Sequence, residues 1–400
     1  MSDQNTALSD TRFLSSFIVL AAISGLTVGL GKILTTLYAI SLGATPFQVG
    51  IVSAMESIGM VLVTVPAGFI IARYGARGVY FLSSLGPLLV NIIIPLSGSW
   101  IALAAGRGLI GLCIPFRMVS MNSSFLERLK TLGQAKAGWY RGALTGGTAI
   151  IGPAAAALLS QRAGIAISFW IVAALFGLMA VFSLSFLPVR DVRSAEEAPG
   201  FIAELQLIFA NPGVAESCLV EFVSSATNAL FGTFIILVAM GLPLLTEQDG
   251  IHVLLFQGAI SVAMLFLGGS FIQRLATPYA YGISLFLAAL ALGALGLSGG
   301  FAGLAIGAML LSGGSAIVHL VNVRMLASVP GGKSKIAGLY NLASMTGSSF
   351  GAIAGGFASK MVAVQSVFLL WIPLLCAAAF LIALLRRRSA ITTSVALGEA

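Results

Sequence analysis

Apolar stretches of roughly 20 residues alternate along the chain with short polar connections, and a helix needs about that many apolar residues to cross a bilayer. From this pattern we predict twelve spanning helices, centred near residues 27, 60, 88, 112, 148, 177, 229, 261, 288, 312, 348 and 375. Strict alternation of apolar and polar residues, typical of membrane β-strands, does not occur. The pattern therefore predicts an all-α membrane protein.

The composition indicates that most of the chain, and not one anchoring segment, lies in the membrane. Of 400 residues, 58% are hydrophobic and 8% are charged, and the mean hydropathy is +1.04, whereas about a quarter of a soluble domain is charged. Cys113, Cys218 and Cys376 lie singly inside apolar stretches. They form neither a disulfide framework nor a metal motif, so we expect no cofactor.

The net charge of +8 is distributed in a way that indicates topology. The basic residues lie at helix ends and do not cluster with aromatic residues, which argues against nucleic acid as a partner. Nearly all the Lys and Arg residues in connections fall on the same side as the N-terminus, and such loops are cytoplasmic. We therefore predict a multi-pass protein of the plasma membrane (the inner membrane of a bacterium) with both termini in the cytoplasm. No cleavable signal peptide is expected.

The two halves of the chain resemble each other. Residues 137–141 read AGWYR and residues 337–341 read AGLYN, and each begins a glycine-rich span. The same offset of 200 places Asn122 at the position of Asn322. At an offset of 201, Glu56 corresponds to Gln257.

Repeats in the same orientation predict two six-helix bundles related by an axis along the membrane normal. We predict bundles at 1–188 and 211–386, a cytoplasmic linker at 189–210 and a cytoplasmic tail at 387–400. One chain then contains a complete two-bundle pathway, so a monomer is expected to be sufficient for function.

The segment GFIIARYGARG, from Gly68 onward, interrupts the apolar pattern between spans 2 and 3. It resembles the signature of the major facilitator superfamily at this place, Gly-x-x-x-Asp-Arg-x-Gly-x-Arg. Ala72 stands where the family has an aspartate that caps a helix and forms ion pairs stabilising the outward-open state. We expect the glycines to allow a tight turn and close helix packing. The resemblance implies a conformational gate formed by Gly68, Arg73, Gly75 and Arg77, with Gly269 and Arg274 as the second-half counterparts.

Two further motifs are similar to those of the same family. Arg107 and Gly111, in RGLIG, match the Arg-x-x-x-Gly pattern that the family associates with proton coupling. Gly147, Gly152 and Pro153 resemble part of the Gly-Pro element of drug/proton antiporters, which implies a hinge in span 5. The resemblance covers essentially the whole chain, and its motifs are closest to those of proton-coupled drug and metabolite antiporters.

Ionisable residues inside spans are costly and are usually functional. Glu56 lies in the middle of span 2, where it is either a proton-coupling or substrate-binding carboxylate or the ion-pair partner of Lys32. Glu221 lies in span 7 and is either a second coupling site or the partner of a basic residue. With Arg107, these residues are the predicted coupling and ion-pair groups.

Arg117 lies near the predicted bilayer centre, where we expect it to contact the substrate or a counter-anion. The first-half spans contain more basic than acidic groups, which favours an anionic or zwitterionic substrate. His319 is expected mainly as a packing residue, with a proton relay as the alternative. The uncharged candidates for the wall of a substrate cavity are Asn122, Asn228, Gln257, His319, Asn322 and Asn341.

These features predict a secondary transporter, because the chain has no GxxxxGK[ST] nucleotide loop and must use an ion gradient or the substrate's own gradient. We expect alternating access and proton-coupled export, by antiport, of a small anionic or zwitterionic molecule such as a siderophore-like metabolite or drug. Import by proton symport is the alternative, and a non-transporting sensor or scaffold is a more distant one. The chain has two histidines and no HExxH motif, so no enzyme is expected. The expected partners are the bilayer, the small-molecule substrate and protons.

Overall fold

The computed structural model describes residues 2–132, 137–187, 212–267, 275–328 and 333–398, and these are almost entirely helical. A π-helical segment, Gly147–Ile151, lies in the middle of span 5. The first-half helices are α1 Ser2–Ser41, α2 Pro46–Tyr74, α3 Ala76–Ser97, α4 Trp100–Leu132, α5 Ala137–Gly146, α6 Gly152–Arg162 and α7 Ile165–Phe186. The second-half helices are α8 Pro212–Gly241, α9 Glu247–Leu267, α10 Thr277–Leu297, α11 Phe301–Ser328, α12 Lys333–Ala358 and α13 Ser366–Gly398.

Ten segments of the described chain are long and apolar enough to cross a membrane. They coincide with ten of the predicted spans and confirm a multi-pass all-α protein. The predicted eighth and eleventh spans correspond to α9 and α12, which are helical but are not among the ten. The count of twelve spans therefore stays a prediction. The ten segments are Leu14–Ser41, Pro46–Thr64, Ala76–Ser97, Trp100–Met121, Gly142–Arg162, Ile165–Ser185, Gly213–Gly241, Thr277–Leu297, Phe301–Asn322 and Ser366–Arg386.

The chain divides into two compact units, Met1–Ala198 and Pro199–Ala400. In the first unit α1 packs against α5 and α6, α2 against α4, and α3 against α4 and α7. In the second unit α8 packs against α12, α9 against α11, and α10 against α11 and α13. These pairs match in chain order, as expected for repeats. The predicted domain bounds stay predictions, because the linker at 189–210 lies outside the described residues.

The same glycine contact recurs in both units. A Cβ atom on Gly147 would lie 2.5 Å from the carbonyl oxygen of Ala22 on α1. A Cβ atom on Gly347 of α12 would collide with the carbonyl oxygen of Phe222 on α8. Both residues of the second contact follow those of the first by 200 positions. Glycine lets the two backbones touch, so α1 with span 5 and α8 with α12 are equivalent packed pairs.

Equivalent N-terminal caps begin α2 and α9. Thr45 N–H donates to Gln48 Oε1 at 2.8 Å, and Gln48 N–H donates to Thr45 Oγ1 at 3.4 Å. Thr246 donates to Asp249 Oδ2 from both N–H and Oγ1, each at 2.8 Å. The two caps are 201 positions apart. Each satisfies backbone donors that a helix start leaves without intrahelical partners.

We expect the two caps to respond differently to acid. The bonds from Thr246 N–H and then from its hydroxyl hold the pKa of Asp249 below its usual value. A lowered folded pKa means that this stabilisation is present above about pH 4, the usual carboxyl value, and is lost as the pH falls through the lowered pKa. The amide of Gln48 does not titrate.

Hydrogen exchange at a series of pH values, corrected for the intrinsic rates, measures this difference. Amides at the start of α9 should lose protection on acidification, whereas those at the start of α2 should not. Asp249→Asn should make the second cap insensitive to pH. Equal acid sensitivity at both helix starts would contradict the role of the Asp249 carboxylate in the α9 cap.

Candidate functional site

A buried ion pair lies where α2 and α4 are in closest contact. Cβ atoms on Gly59 and Gly111 would collide with the carbonyl oxygens of Gly108 and Glu56 respectively, so the two backbones touch at these points. This contact brings the Glu56 carboxylate to the Arg107 guanidinium, where they form a salt bridge. The side chains are 5% and 6% exposed. Water therefore screens the pair weakly.

Lys32 on α1 lies beside this pair. Its side chain is exposed, whereas its neighbours Ile33 and Leu34 are buried. It is close enough to Arg107 for the two positive charges to repel each other. In the described part of the chain, no hydrogen bond or ion pair engages the Lys32 ammonium group. The ion-pair partner expected for Glu56 was Lys32, whereas the structure pairs Glu56 with Arg107, and Lys32 is an accessible cation next to the pair.

Arg117 occupies a separate, aromatic environment formed by α3, α4 and α7. It is 2% exposed, and its Nη2 donates to Tyr80 Oη at 3.2 Å and contacts Met179 Sδ at 3.1 Å. Its Cζ lies 5.2 Å from the ring centre of Tyr80 and 4.6 Å from that of Phe176. Cation–π contacts stabilise such a desolvated cation. Arg117 lies about 15 Å along α4 from Arg107, so the structure does not bring these two arginines together.

Glu221 on α8 is buried and has only neutral hydrogen-bond donors. Its Oε2 accepts from Asn322 Nδ2 at 3.1 Å and from the Tyr340 hydroxyl. Its Oε1 accepts from Ser225 Oγ at 3.1 Å, and Ser225 Oγ is 2.8 Å from Ser344 Oγ. No basic side chain pairs with Glu221 among the described residues. The alternative of a basic partner across the interface between the two bundles stays a prediction.

The hydrogen bonds continue from Asn322 towards the start of α8. Tyr281 Oη donates to Asn322 Oδ1 at 2.5 Å and lies 3.0 Å from Ser217 Oγ. Tyr281 follows Tyr80 by 201 positions, and both tyrosines contact a polar residue on the fourth span of their own unit, Asn322 and Arg117. The predicted cavity residue Asn322 is therefore fully buried in a network that joins α8, α10, α11 and α12.

Two other cavity candidates meet each other. Gln257 Nε2 on α9 donates to Asn228 Oδ1 on α8 at 3.1 Å, and the backbone oxygen of Gln257 accepts from Ser312 Oγ at 2.9 Å. Both amides are partly buried. Gln257 occupies the repeat position of Glu56, so an uncharged pair in the second unit takes the place of the first-unit ion pair.

The remaining cavity candidates differ in how exposed they are, and some lie outside the described residues. His319 is half-buried on α11 and has an interaction partner. Asn341 is exposed on α12. The side chain of Asn122, and both Gly269 and Arg274, lie outside the described residues. The structure thus assembles the second-unit candidates into two clusters, around Glu221 and around Gln257.

The gate segment contains one glycine, Gly75, at a backbone conformation that favours glycine. Gly75 joins α2 to α3 with φ +83°, a conformation that favours glycine. Arg73 is exposed, with its Cζ 5.5 Å from the ring centre of Tyr74, and Arg77 is partly exposed. No described atom lies within 4 Å of a Cβ placed on Gly68. The expected tight turn is therefore present at Gly75, but the expected close packing at Gly68 is not found within the described chain.

The predicted hinge in span 5 coincides with a change of helix type. The π-helical segment starts at Gly147, and Gly152 and Pro153 begin the α-helix that follows. A Cβ atom on Gly152 would lie 2.7 Å from the Cα of Gly29 on α1. Single π-helical turns are frequent at functional sites. The sequence placed these residues correctly on one short segment, and their role as a hinge stays a prediction.

Sequence reasoning missed the neutral partners of Glu221 and the aromatic partners of Arg117. One signal was available, because Tyr80-x-x-Ser83 and Tyr281-x-x-Ser284 repeat at an offset of 201. In each motif the serine hydroxyl donates to the tyrosine carbonyl, at 3.2 and 2.8 Å. The repeat marked both tyrosines as equivalent core positions without indicating what their hydroxyls contact.

Comparison with known proteins identifies the family that has this architecture. The family model described as Major Facilitator Superfamily matches residues 12–275. The crystal structure of the nucleoside transporter NupG is similar with a TM-score of 0.77 at 15% identity, over 93% of this chain and 98% of that one. The crystal structure of a NupG point mutant gives a TM-score of 0.76 at 17% identity, over 93% and 99%. No curated protein sequence matches the chain significantly. The family match covers more than half of the chain, which therefore belongs to the Major Facilitator Superfamily of membrane transporters.

Proposed function

We propose that this protein is a secondary active transporter that couples protons to the movement of a small organic anion or zwitterion across the plasma membrane. It would work as a monomer by alternating access, with both termini in the cytoplasm. The observation that carries the proposal is the buried Glu56–Arg107 pair with the accessible Lys32 beside it. Ionisable groups of this kind inside spans commonly form proton and substrate sites.

The charge around the pair supports an anionic group on the substrate. Glu56 neutralises Arg107, and Arg117 is enclosed by Tyr80 and Phe176. Of Lys32, Arg107 and Arg117, the three basic residues placed inside first-unit spans, Lys32 is the accessible one. A carboxylate or phosphate on the substrate supplies the counter-charge that Lys32 lacks.

The ion pair also gives a physical link between a proton and the substrate. Protonating Glu56 removes its charge, so Arg107 loses its counter-ion and joins Lys32 as a second cation. An anion then binds more favourably, and by linkage the bound anion favours the protonated form. A proton and an anionic substrate that favour each other's binding move in the same direction, which is symport.

Antiport with export is the second candidate, favoured by the similarity of the span 5 motif to that of antiporters. Antiport requires the substrate and the proton to exclude each other. The ammonium group of a zwitterion satisfies this requirement, since it competes with a proton for the Glu56 carboxylate while its anionic group binds Lys32. The charge of the substrate therefore decides between the two modes.

Purified protein in liposomes with a trapped pH dye tests both modes. Under an imposed pH gradient, pools of organic anions, zwitterions and uncharged nucleosides are added in turn. Untargeted mass spectrometry of cells with and without the protein supplies the candidate compounds. Nucleosides are included because the similar structures are nucleoside transporters.

Anion entry that carries protons inward supports symport, and zwitterion movement that drives protons the opposite way supports antiport. Glu56→Gln should abolish either coupling while leaving exchange of substrate for substrate. Transport of all pools without proton movement would overturn the coupling, and movement of no compound would overturn transport itself.

Removing the Lys32 charge should weaken anion recognition selectively. A charge-assisted hydrogen bond contributes about 1.5–3 kcal/mol, so Lys32→Ala should raise the half-saturating concentration of an anionic substrate roughly tenfold to a hundredfold. Lys32→Arg should retain most of the affinity. An equal loss for charged and uncharged substrates would show that Lys32 acts on the fold and not on the substrate charge.

A further inference from the structure

The carboxylate of Glu221 is buried, no cationic side chain that the structure describes pairs with it, and its two oxygens have different partners. Oε2 accepts from Asn322 and Tyr340, whereas Oε1 accepts from Ser225 alone. The Asn322 Nδ2 group can only donate, and the Oδ1 atom of this amide already accepts from Tyr281 at 2.5 Å. A proton on Oε2 would therefore face the Asn322 amide, which cannot accept it, or would have to turn the hydroxyl of the buried Tyr340.

Oε1 can take up a proton without stranding any group. If the proton binds there, the new Glu221 O–H donates to Ser225 Oγ, and the Ser225 hydroxyl turns to donate to Ser344 Oγ, which is 2.8 Å away. Either serine can be the donor of that contact. Hydroxyl groups both donate and accept, so the Glu221–Ser225–Ser344 bonds persist in both protonation states. The change is one bound proton and two turned hydroxyls, because the Ser344 hydrogen that points to Ser225 in the ionised state turns away to the partly exposed side of Ser344.

The location of the serines gives Oε1 a route to the surface of the unit. Ser225 and Ser344 are partly exposed, whereas Asn322 and Tyr340, the partners of Oε2, are buried. Ser344 is on α12, one turn after the exposed Asn341. A proton can therefore approach the half-buried side of the network and does not have to cross the packed side.

Among the described side chains, no hydrogen bond or ion pair joins a cationic group to Glu221. Glu216 on the same helix is paired with Arg386 of α13, whose Nε lies 2.9 Å from Glu216 Oε1. Arg324 on α11 donates to the Leu275 carbonyl at 3.1 Å. The other titratable groups on the elements packed around Glu221 are Cys218 on α8, Tyr279 and Tyr281 on α10, His319 on α11, Tyr340 on α12, Cys376 on α13 and, at the start of α9, Glu247, Asp249 and His252. The side chains of Lys333 and Lys335 on α12 and of Arg387 and Arg388 on α13 lie outside the described residues.

We propose that Glu221 is a reversible proton-binding site of the second unit. The proton binds at Oε1, and its binding reorients the hydroxyl groups of Ser225 and Ser344. The site is separate from Glu56 in the first unit. Its contribution to transport rests on the proposed function, but its occupancy by a proton does not. Because Ser225 lies on α8 and Ser344 on α12, each protonation reverses a hydrogen bond between these two packed helices.

Infrared difference spectroscopy of the purified full chain in lipid, titrated with acid and without substrate, tests the site directly. Protonation produces a carboxylic C=O stretch that shifts in heavy water. Glu221→Gln should remove one such band, whereas Glu216→Gln and Glu56→Gln should leave that band in place. Ser225→Ala should move the band to higher frequency, because the acid loses the acceptor of its hydrogen bond.

Spectra of Glu221→Gln that superimpose on those of the wild type would overturn the proposal. So would a band that responds to sodium but not to acid, since the network would then hold a metal cation. If the wild type shows no band that Glu221→Gln removes, yet transports its substrate with protons, this site is rejected and the proposed function still stands.

Discussion

Arg107→Met alone is expected to destabilise the first unit by about 3–5 kcal/mol, because it leaves the Glu56 carboxylate buried without its counter-ion. Glu56 is 5% exposed on its side chain and is held against the α4 backbone at Gly111, so it has little access to water. Thermal unfolding of the purified protein in detergent measures the loss. The double variant Glu56→Gln/Arg107→Met should recover most of the stability, since both charges are then gone.

Arg117→Met is the matched control on the same helix. Arg117 is as deeply buried as Arg107, but its described partners are aromatic rings, a hydroxyl and a thioether, and none of these is left charged. Its loss should cost about 2 kcal/mol or less. Equal destabilisation by the two arginine substitutions would contradict the idea that the loss of stability in Arg107→Met comes from the unpaired Glu56 carboxylate.

The second large effect is expected where α1 meets span 5. Gly147→Ala places a Cβ atom 2.5 Å from the Ala22 carbonyl oxygen and 2.9 Å from the Leu26 backbone nitrogen. Backbone atoms cannot move aside as a side chain can, so the helices must separate, at a cost of about 1–3 kcal/mol or more. The melting temperature and the yield of monodisperse protein measure this loss.

Gly146→Ala provides a control one residue away. No atom lies within 4 Å of a Cβ at that position, and its φ of −60° suits alanine. This substitution should be neutral or slightly stabilising, since alanine favours the helix over glycine. If both substitutions have the same effect, helix propensity and not the contact with α1 determines the result.

The architecture was largely predictable from the sequence because its causes are local. Apolar runs of spanning length and the repeat of AGWYR in AGLYN reveal the helices and their duplication without any knowledge of contacts. Glu56 and Arg107 stood out for the same reason, since a charge within an apolar run is conspicuous. The pairing of Glu56 with Arg107 over Lys32 was not predictable, because it depends on how closely Gly59 and Gly111 let α2 approach α4.

The setting of Glu221 was beyond sequence reasoning for a different reason. Two of its three donors, Asn322 and Tyr340, lie 101 and 119 positions away in the chain, and serine, tyrosine and asparagine are unremarkable residues in a long helix. For Arg117, the sequence made the residue conspicuous but hid its partners. Its charge attracted a functional interpretation, whereas the aromatic rings that stabilise it appear in the sequence as ordinary apolar positions.

The replacement of Glu56 by Gln257 at the equivalent repeat position has an evolutionary consequence. Two copies of one ancestral half start with the same chemistry, and an exchange of carboxylate for amide preserves shape and hydrogen bonding while it abolishes titration. Gln257 now binds Asn228 in place of an arginine. The two paralogous halves have thereby diverged in chemistry at this position, since the first retains a group that can carry a charge and the second does not.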